Sequence, residues 1–298
     1  MKKITKAVIP AAGFGTRFLP AAKAVPKEMI PLIDKPVIQY VVEEAAAAGI
    51  TDILMVISGG KQAIQEHFAR NYDLEQRLAN SGKHELLAEM RSITDLANIH
   101  YIYQHELNGL GDAINRAKNF VGNDAFAILL GDTVTTSNDS TPVIGQLIKA
   151  HERCDSSVVA LEAVPPEKVS RYGVIDGEAV GGELYKVKHF VEKPSIEAAP
   201  SNLAIASRYI FTPELFKFLA KTPRGKGNEI QLTDAMTMML KTEAMFGLKI
   251  DGKRHDIGNK LEFIKATIDF ALQRDEFKDQ IKKYIGEKLE ACGLKDNH

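Results

Sequence analysis

The stretch Pro10-Ala11-Ala12-Gly13-Phe14-Gly15-Thr16-Arg17-Phe18-Leu19-Pro20, continued by Lys23 and Pro26-Lys27-Glu28-Met29, constrains this chain more than any other. It follows Ala7-Val8-Ile9, which reads as a short buried strand. Loops at the carboxyl end of a parallel strand are where α/β proteins hold ligands. Small residues let backbone N–H groups approach a phosphate, and a threonine hydroxyl adds a donor. Arg17, Lys23 and Lys27 add positive charge. A bare G-x-G is more often a turn than a ligand loop, but three cations inside one proline-pinned loop reverse that weighting. Walker A, G-x-x-x-x-G-K-[ST], is absent. The dinucleotide fingerprint G-x-G-x-x-G fails because Phe18 stands at its third glycine, and Pro20 and Pro26 stop a helix from starting at once. A nicotinamide-dependent oxidoreductase is thereby excluded.

Strand-like runs at 53–57, 99–103 and 125–130 alternate with helical patterns at 37–48, 62–68, 73–92 and 111–118. This predicts a parallel sheet covered on both faces. From about residue 155 the runs at 157–163, 173–175, 185–191 and 203–211 predict an antiparallel or mixed extension of the same sheet, with a cleft between the halves. Helices are expected near 260–273 and 275–290. The expected organisation is a body over 1–258, in halves of about 1–154 and 155–258, with C-terminal helices over 259–298. Lys plus Arg number 38 and Asp plus Glu 39, a net of −1, so no sequence-wide basic field exists for nucleic acid or an anionic membrane. Cys154 and Cys292 are too few for a disulfide framework or a cysteine-rich zinc site and fit a reducing cytoplasm. No run is long enough to span a bilayer, and the apolar start breaks at Pro10, too early for a signal peptide. The histidines show no zinc-ligand spacing, and Met236, Met238 and Met239 read as core or interface.

Ala11-Ala12-Gly13-x-Gly15-Thr16-Arg17 with Pro26-Lys27-Glu28-Met29 and Asp34-Lys35-Pro36 resembles the sugar-nucleotide pyrophosphorylases. The resemblance runs on through Gln39-Tyr40, Gly109-Leu110-Gly111, Tyr172-Gly173-Val174, Glu192-Lys193-Pro194, Ala199-Pro200-Ser201-Asn202 and Asn228-Glu229-Ile230-Gln231-Leu232-Thr233-Asp234, nearly the whole chain. It is strongest toward the branch that uses UTP and glucose 1-phosphate. It implies a Rossmann-like nucleotidyltransferase α/β fold: a central mixed, mostly parallel sheet flanked by helices, with a smaller β extension. It also implies Mg²⁺ as cofactor, UDP-glucose and pyrophosphate as products, and a homodimer or homotetramer. The two halves of the body become nucleotide-binding and sugar-binding.

The implied reaction is attack of a sugar-phosphate oxygen on the α-phosphorus of a nucleoside triphosphate. The nucleophile is already an anion, so the chemistry needs positioning and charge neutralisation rather than a base. Asp132, at the end of an apolar strand, and Asp256 are the implied metal ligands; either alone could be a turn cap. Arg17 and Lys27 are implied at the triphosphate and Lys193 at the sugar phosphate. Gly173, Glu192 and Asn202 are implied at the sugar. Ala11, Ala12, Gly13, Gly15, Thr16, Glu28, Gln104 and Gly109 are implied at the nucleotide. The Gln104 amide can donate and accept to a pyrimidine edge, although it also reads as a polar strand end. Gly109 is expected to let the base lie against backbone. The chain departs from the family pattern at Ala22, Asp112, Gly131 and Ile257, where many members carry threonine, histidine, proline and cysteine. No departure removes a charged catalytic group, and Asp112 adds negative charge near the nucleotide. The rival readings are a branch that uses dTTP and a non-catalytic regulatory paralogue; the intact Gly15-Thr16-Arg17 and Lys27 disfavour the second.

Overall fold

Buried apolar strands alternating with amphipathic helices generate the first half of the computed structural model, which describes residues 2–293. Met1 and the end of the expected C-terminal segment, residues 294–298, lie outside the described residues. Strand β1 (Lys6–Pro10) leads into the glycine loop, whose 3₁₀ turns cover Thr16–Phe18, Ala21–Lys23 and Lys27–Met29. Then come the paired strands β2 (Pro31–Leu32) and β3 (Lys35–Pro36), α1 (Val37–Ala47), β4 (Asp52–Ile57), α2 (Gln62–Phe68), α3 (Tyr72–Asn80), α4 (His84–Thr94) and β5 (Asn98–Tyr103). Next are α5 (Leu110–Asn115), α6 (Lys118–Val121), β6 (Phe126–Leu129), β7 (Thr133–Ser137) and α7 (Val143–Cys154). The second half holds β8 (Ser157–Ala163), β9 (Gly173–Gly181), β10 (Leu184–Glu192), β11 (Leu203–Phe211), α8 (Leu215–Leu219), α9 (Leu232–Met239), β12 (Met245–Lys249) and β13 (Gly252–Asp256). Helices α10 (Lys260–Ala271) and α11 (Lys278–Ala291) follow.

One nine-stranded sheet runs β5-β4-β1-β6-β11-β8-β12-β10-β9, so the two halves share a sheet as expected. Strands β5, β4, β1 and β6 are parallel. Beyond β6 the sheet becomes the antiparallel or mixed extension expected of the second half. Strand β11 is antiparallel to β6 and β8, β10 is antiparallel to β12 and β9, and only β12–β8 is parallel. Hydrophobic runs identify strands but carry no direction. The far edge curls back, and Val174 of β9 pairs with Ala204 of β11. Alternate residues feed two cores, as a sheet covered on both faces requires. Ala7 and Ile9 pack on one face with Ile38, Val41 and Leu147; Val8 packs on the other with Phe126, Phe211 and Met236. A separate pair, β7 with β13, stands outside the main sheet. Among the described residues no helix is long and apolar enough to cross a membrane.

Arg208 of β11 is fully buried. Its guanidinium donates to Glu44 Oε2 at 2.9 and 2.7 Å, to the Thr133 carbonyl at 2.8 Å and to the Ser207 carbonyl at 3.0 Å. Glu44 also accepts from Thr135 Oγ1 at 2.7 Å and from the Ile144 backbone N–H at 3.0 Å. One ion pair thus joins β11, α1, β7 and the start of α7. Replacing Arg208 by Met strands the Glu44 carboxylate and should cost about 3–5 kcal/mol in chemical denaturation. Pairing Arg208→Met with Glu44→Gln, which keeps an acceptor but no charge, should recover part of that loss. An equal loss in both would show that the unpaired charge is not its source.

Candidate active site

The glycine loop is held from two sides. Ala11 N–H continues the β1–β4 pairing by donating to the Val56 carbonyl at 2.8 Å. Just past β4, Ser58 Oγ donates to the Ala12 carbonyl at 2.6 Å, and Lys61 Nζ donates to the Gly13 carbonyl at 2.9 Å. Lys61 also pairs with Glu28 Oε2 at 2.7 Å, and both side chains are buried. Burial pushes the Glu28 carboxyl above its ordinary range, against the pull of Lys61 and Lys27. Gly15 has φ +67, and a Cβ there would stand 3.0–3.1 Å from the Lys27 side-chain carbons. A glycine is needed both for the left-handed turn and for Lys27 to cross it.

Lys27 Nζ donates to Asp132 Oδ2. Burial works to lower the Lys27 pKa, but the Asp132 and Glu28 carboxylates outweigh it and hold the ammonium above its ordinary value. Burial likewise works to raise Asp132, and Lys27 outweighs it, keeping the carboxyl low. Asp256 arrives from far along the chain because β13 pairs with β7, Asp256 opposite Thr133. Its carboxyl is raised by burial and by the nearby charge of Asp132. The position a Cβ would take on Gly258 lies 3.1 Å from Asp256 Oδ1, 3.4 Å from Asp132 Oδ2 and 3.8 Å from Arg17 Nη1. Both carboxylates and the exposed Arg17 therefore border one small space. Among the described residues no three His, Cys, Asp or Glu side chains gather into an all-protein metal cage. Two hard carboxylates on one small space do fit Mg²⁺, which takes few protein carboxylates and completes its shell with other oxygens, and a cation held there would relieve the repulsion felt by Asp256.

A cleft of about 490 Å³ opens beside this pair. Ala11, Ala12, Gly13, Gly15, Thr16, Lys27, Glu28, Gln104, Gly109 and Asp132 all line it. Gly109 also has a packing reason within the protein itself. A Cβ at Gly109 would meet Glu229 Cβ at 2.7 Å and the Ile230 carbonyl at 2.9 Å, and Gly111 is equally tight against Ile230. The glycines admit the backbone of residues 229–230, which bonds Asn108 and Gly111 at 2.7 and 2.8 Å. Buried Gln104 donates from Nε2 to the Gly109 carbonyl at 3.1 Å and to Asp112 Oδ2 at 2.7 Å. The charge of Asp112 is thus engaged by Gln104, and by Arg116 Nε at 3.3 Å. Ile257 is buried with Leu32, Val37, Val134 and Ala266.

The sugar-end candidates form a second group, at the end of β10 and outside the lining of that cleft. Gly173 lies opposite Glu192 in the β9–β10 register. Lys193, in a left-handed conformation at φ +47, places Nζ 3.0 Å from Glu192 Oε1. Thr233 Oγ1 donates to Glu192 Oε2 at 2.9 Å. Asn202 stands exposed just before β11, apart from these contacts. Sequence reasoning missed Ser58, Lys61 and Thr233 as site residues. Ser58-Gly59-Gly60-Lys61 is a second small-residue loop at the carboxyl end of a buried strand, the same signal that singled out the first.

Residues 6–273 match the nucleotidyl transferase family. A UTP–glucose-1-phosphate uridylyltransferase of Staphylococcus epidermidis is 51% identical over 285 residues, 96% of this chain and 98% of the relative. Among solved structures, a UTP-bound UGPase from Acinetobacter baumannii is 37% identical with a TM-score of 0.89, over 95% of this chain and 98% of that one. A UDP-glucose pyrophosphorylase complexed with UDP-glucose is 40% identical with a TM-score of 0.84, over 91% of this chain and all of the other.

Lys61→Met should leave Glu28 buried without its main partner, costing about 3–5 kcal/mol at pH 8. The already raised Glu28 pKa then rises further, so the folded state binds more protons than the unfolded one and its stability grows as pH falls. The deficit against the parent protein should therefore shrink between pH 8 and pH 5.5 in denaturation experiments. A pH-independent deficit would contradict this account of Glu28.

Proposed function

The chain belongs to the nucleotidyl transferase family, and we infer that it transfers the uridylyl group of UTP to glucose 1-phosphate, releasing pyrophosphate and UDP-glucose. The observation that carries the reading is the convergence of Arg17, Lys27, Asp132 and Asp256 at the mouth of a cleft above parallel strands. Two polyanions must meet there, and the chain answers with cations and a carboxylate pair. The sugar phosphate attacks the α-phosphorus in line as an anion, without a base. Lys27 and the backbone N–H groups of Gly13–Thr16 hold the triphosphate, and Arg17 faces the departing pyrophosphate. Lys193 takes the phosphate of the sugar, while Glu192, fixed by Thr233 and Lys193, accepts from sugar hydroxyls beside Gly173 and Asn202. Asp132 and Asp256 would hold a Mg²⁺ ion, which would supply neutralisation of phosphate charge.

In the same reading the body spans 1–258, with the nucleotide half over about 1–154 and the sugar half over about 155–258. The C-terminal helices α10 and α11 make a homo-oligomeric contact, supported by the exposed Leu261, Ile264 and Ile268 on α10. Free Cys154 and Cys292 support a reducing cytoplasm as its compartment.

Pyrophosphate release from glucose 1-phosphate should be fastest with UTP when UTP, dTTP, CTP, ATP and GTP are compared. A higher kcat/KM with dTTP or a purine nucleotide would displace the reading. In that assay Lys193→Ala should raise KM for glucose 1-phosphate about tenfold and leave KM for UTP nearly unchanged, as expected for one lost hydrogen bond to a charged group.

Asp132→Asn and Asp256→Asn should each lower activity by orders of magnitude and raise the Mg²⁺ concentration needed for half-maximal rate. The double variant should be little worse than either single one, because groups acting on one ion are non-additive. Multiplying losses would mean separate roles.

A further inference from the structure

We propose that Asp112 is a positioning residue for base selection: it locks the Gln104 amide so that Oε1 faces the cleft, and the site accepts a pyrimidine carrying N3–H while rejecting cytosine. The proposal rests on the reading of Gln104 as the base-facing group of the nucleotide subsite. A glutamine amide has a donor end and an acceptor end, and either can ordinarily be turned toward a ligand. Here the choice is forced. Nε2 lies 2.7 Å from Asp112 Oδ2 and 3.1 Å from the Gly109 carbonyl oxygen. Both are acceptors, so the reversed amide would set oxygen against oxygen twice.

Those two bonds use both hydrogens of Nε2. Oε1 makes no hydrogen bond among the described residues, and no buried side-chain polar atom among them lacks a partner. The residue is 3% exposed, so Oε1 is the atom that reaches the cleft Gln104 lines. Asp112 is itself steadied by Arg116 Nε at 3.3 Å. Uracil and thymine offer N3–H to such a fixed acceptor. Cytosine has a bare lone pair at N3, and two acceptors then face each other out of water. The contact does not touch C5, so it separates uracil and thymine from cytosine and not from one another.

The test is the ratio of kcat/KM for UTP to that for CTP, at saturating glucose 1-phosphate, in the full chain and its variants. Asp112→Ala frees the amide to turn, and the ratio should fall about tenfold or more, through the nucleotide KM, with the KM for glucose 1-phosphate unchanged. Asp112→Ser, whose hydroxyl is shorter than the carboxylate arm, should do the same and covers the case in which the alanine variant does not fold. Asp112→Asn keeps an acceptor for Nε2 and should retain most of the ratio. Arg116→Ala should leave the ratio within about twofold. An unchanged ratio in folded Asp112→Ala or Asp112→Ser overturns the proposal, as does an equal fall in Arg116→Ala. Gln104→Leu tells the two layers apart. A ratio that survives Gln104→Leu removes Gln104 as the base reader; one that collapses there but not at Asp112 removes only the lock.

Discussion

A guanidinium with no access to water admits few arrangements of the chain around it, and Arg208 is such a group. Its donors must end on acceptors, and those acceptors come from α1, β7 and its own strand, β11. Any other placement of α1 would leave a charge buried without its partner, a cost comparable with a large part of a domain's net stability. Any other placement of β7 would take the Thr133 carbonyl from the guanidinium and the Thr135 hydroxyl from Glu44. Strand β11 is where the parallel half of the sheet meets the mixed half. The ion pair therefore fixes the seam between halves, and the Thr133 carbonyl it holds is the next residue after Asp132. The cleft uses the same device on a smaller scale, with the Lys61 ammonium shared between Glu28 and the Gly13 carbonyl.

The strands of the first half were legible because they are short apolar runs buried on both faces; β6 is buried throughout. Their neighbours β7 and β13 were not. Thr133–Ser137 and Gly252–Asp256 are mostly polar, pair only with each other, and show no apolar alternation, so periodicity has nothing to register. Helix α7 was readable from Val143, Ile144, Leu147 and Ile148 but was passed over. Residues 73–92 read as one helical stretch and fold as two, α3 and α4, broken where Gly82 takes φ +70. The change of pattern past residue 155 did signal an antiparallel or mixed extension, but it carried no information on the strand order.

The cleft was read from its own loop and its composition, and the nucleotide-end candidates do line it. Lys61 escaped because a lysine after Gly59-Gly60 looks like a solvated turn, whereas it is buried against two oxygens of the loop. Gly109 has a structural reason that the sequence did not show: the space its missing Cβ leaves is filled by Glu229 and Ile230. Asp112 looked like an intrusive charge in the sequence, and in the fold it is a hydrogen-bond acceptor with defined donors. In each case the missing information was a neighbour that only the fold supplies: 33 and 48 residues away for Lys61, more than a hundred for Gly109, and across a turn for Asp112.

The single bridge between Val174 and Ala204 sets the working distance of the molecule. Counted along the sheet, β9 is six strands from β1, about 29 Å at ordinary strand spacing. Counted through the bridge, the path is β1, β6, β11, β9, and the span drops to about 14 Å. Gly173 begins β9, and its partner Glu192 carries Lys193 beside it. The far rim of the sheet is thereby folded back to three strand spacings from the strand that carries the glycine loop. The lateral spacing of the strands that carry the two groups of charges is set by hydrogen-bonded ladders, stiff and countable.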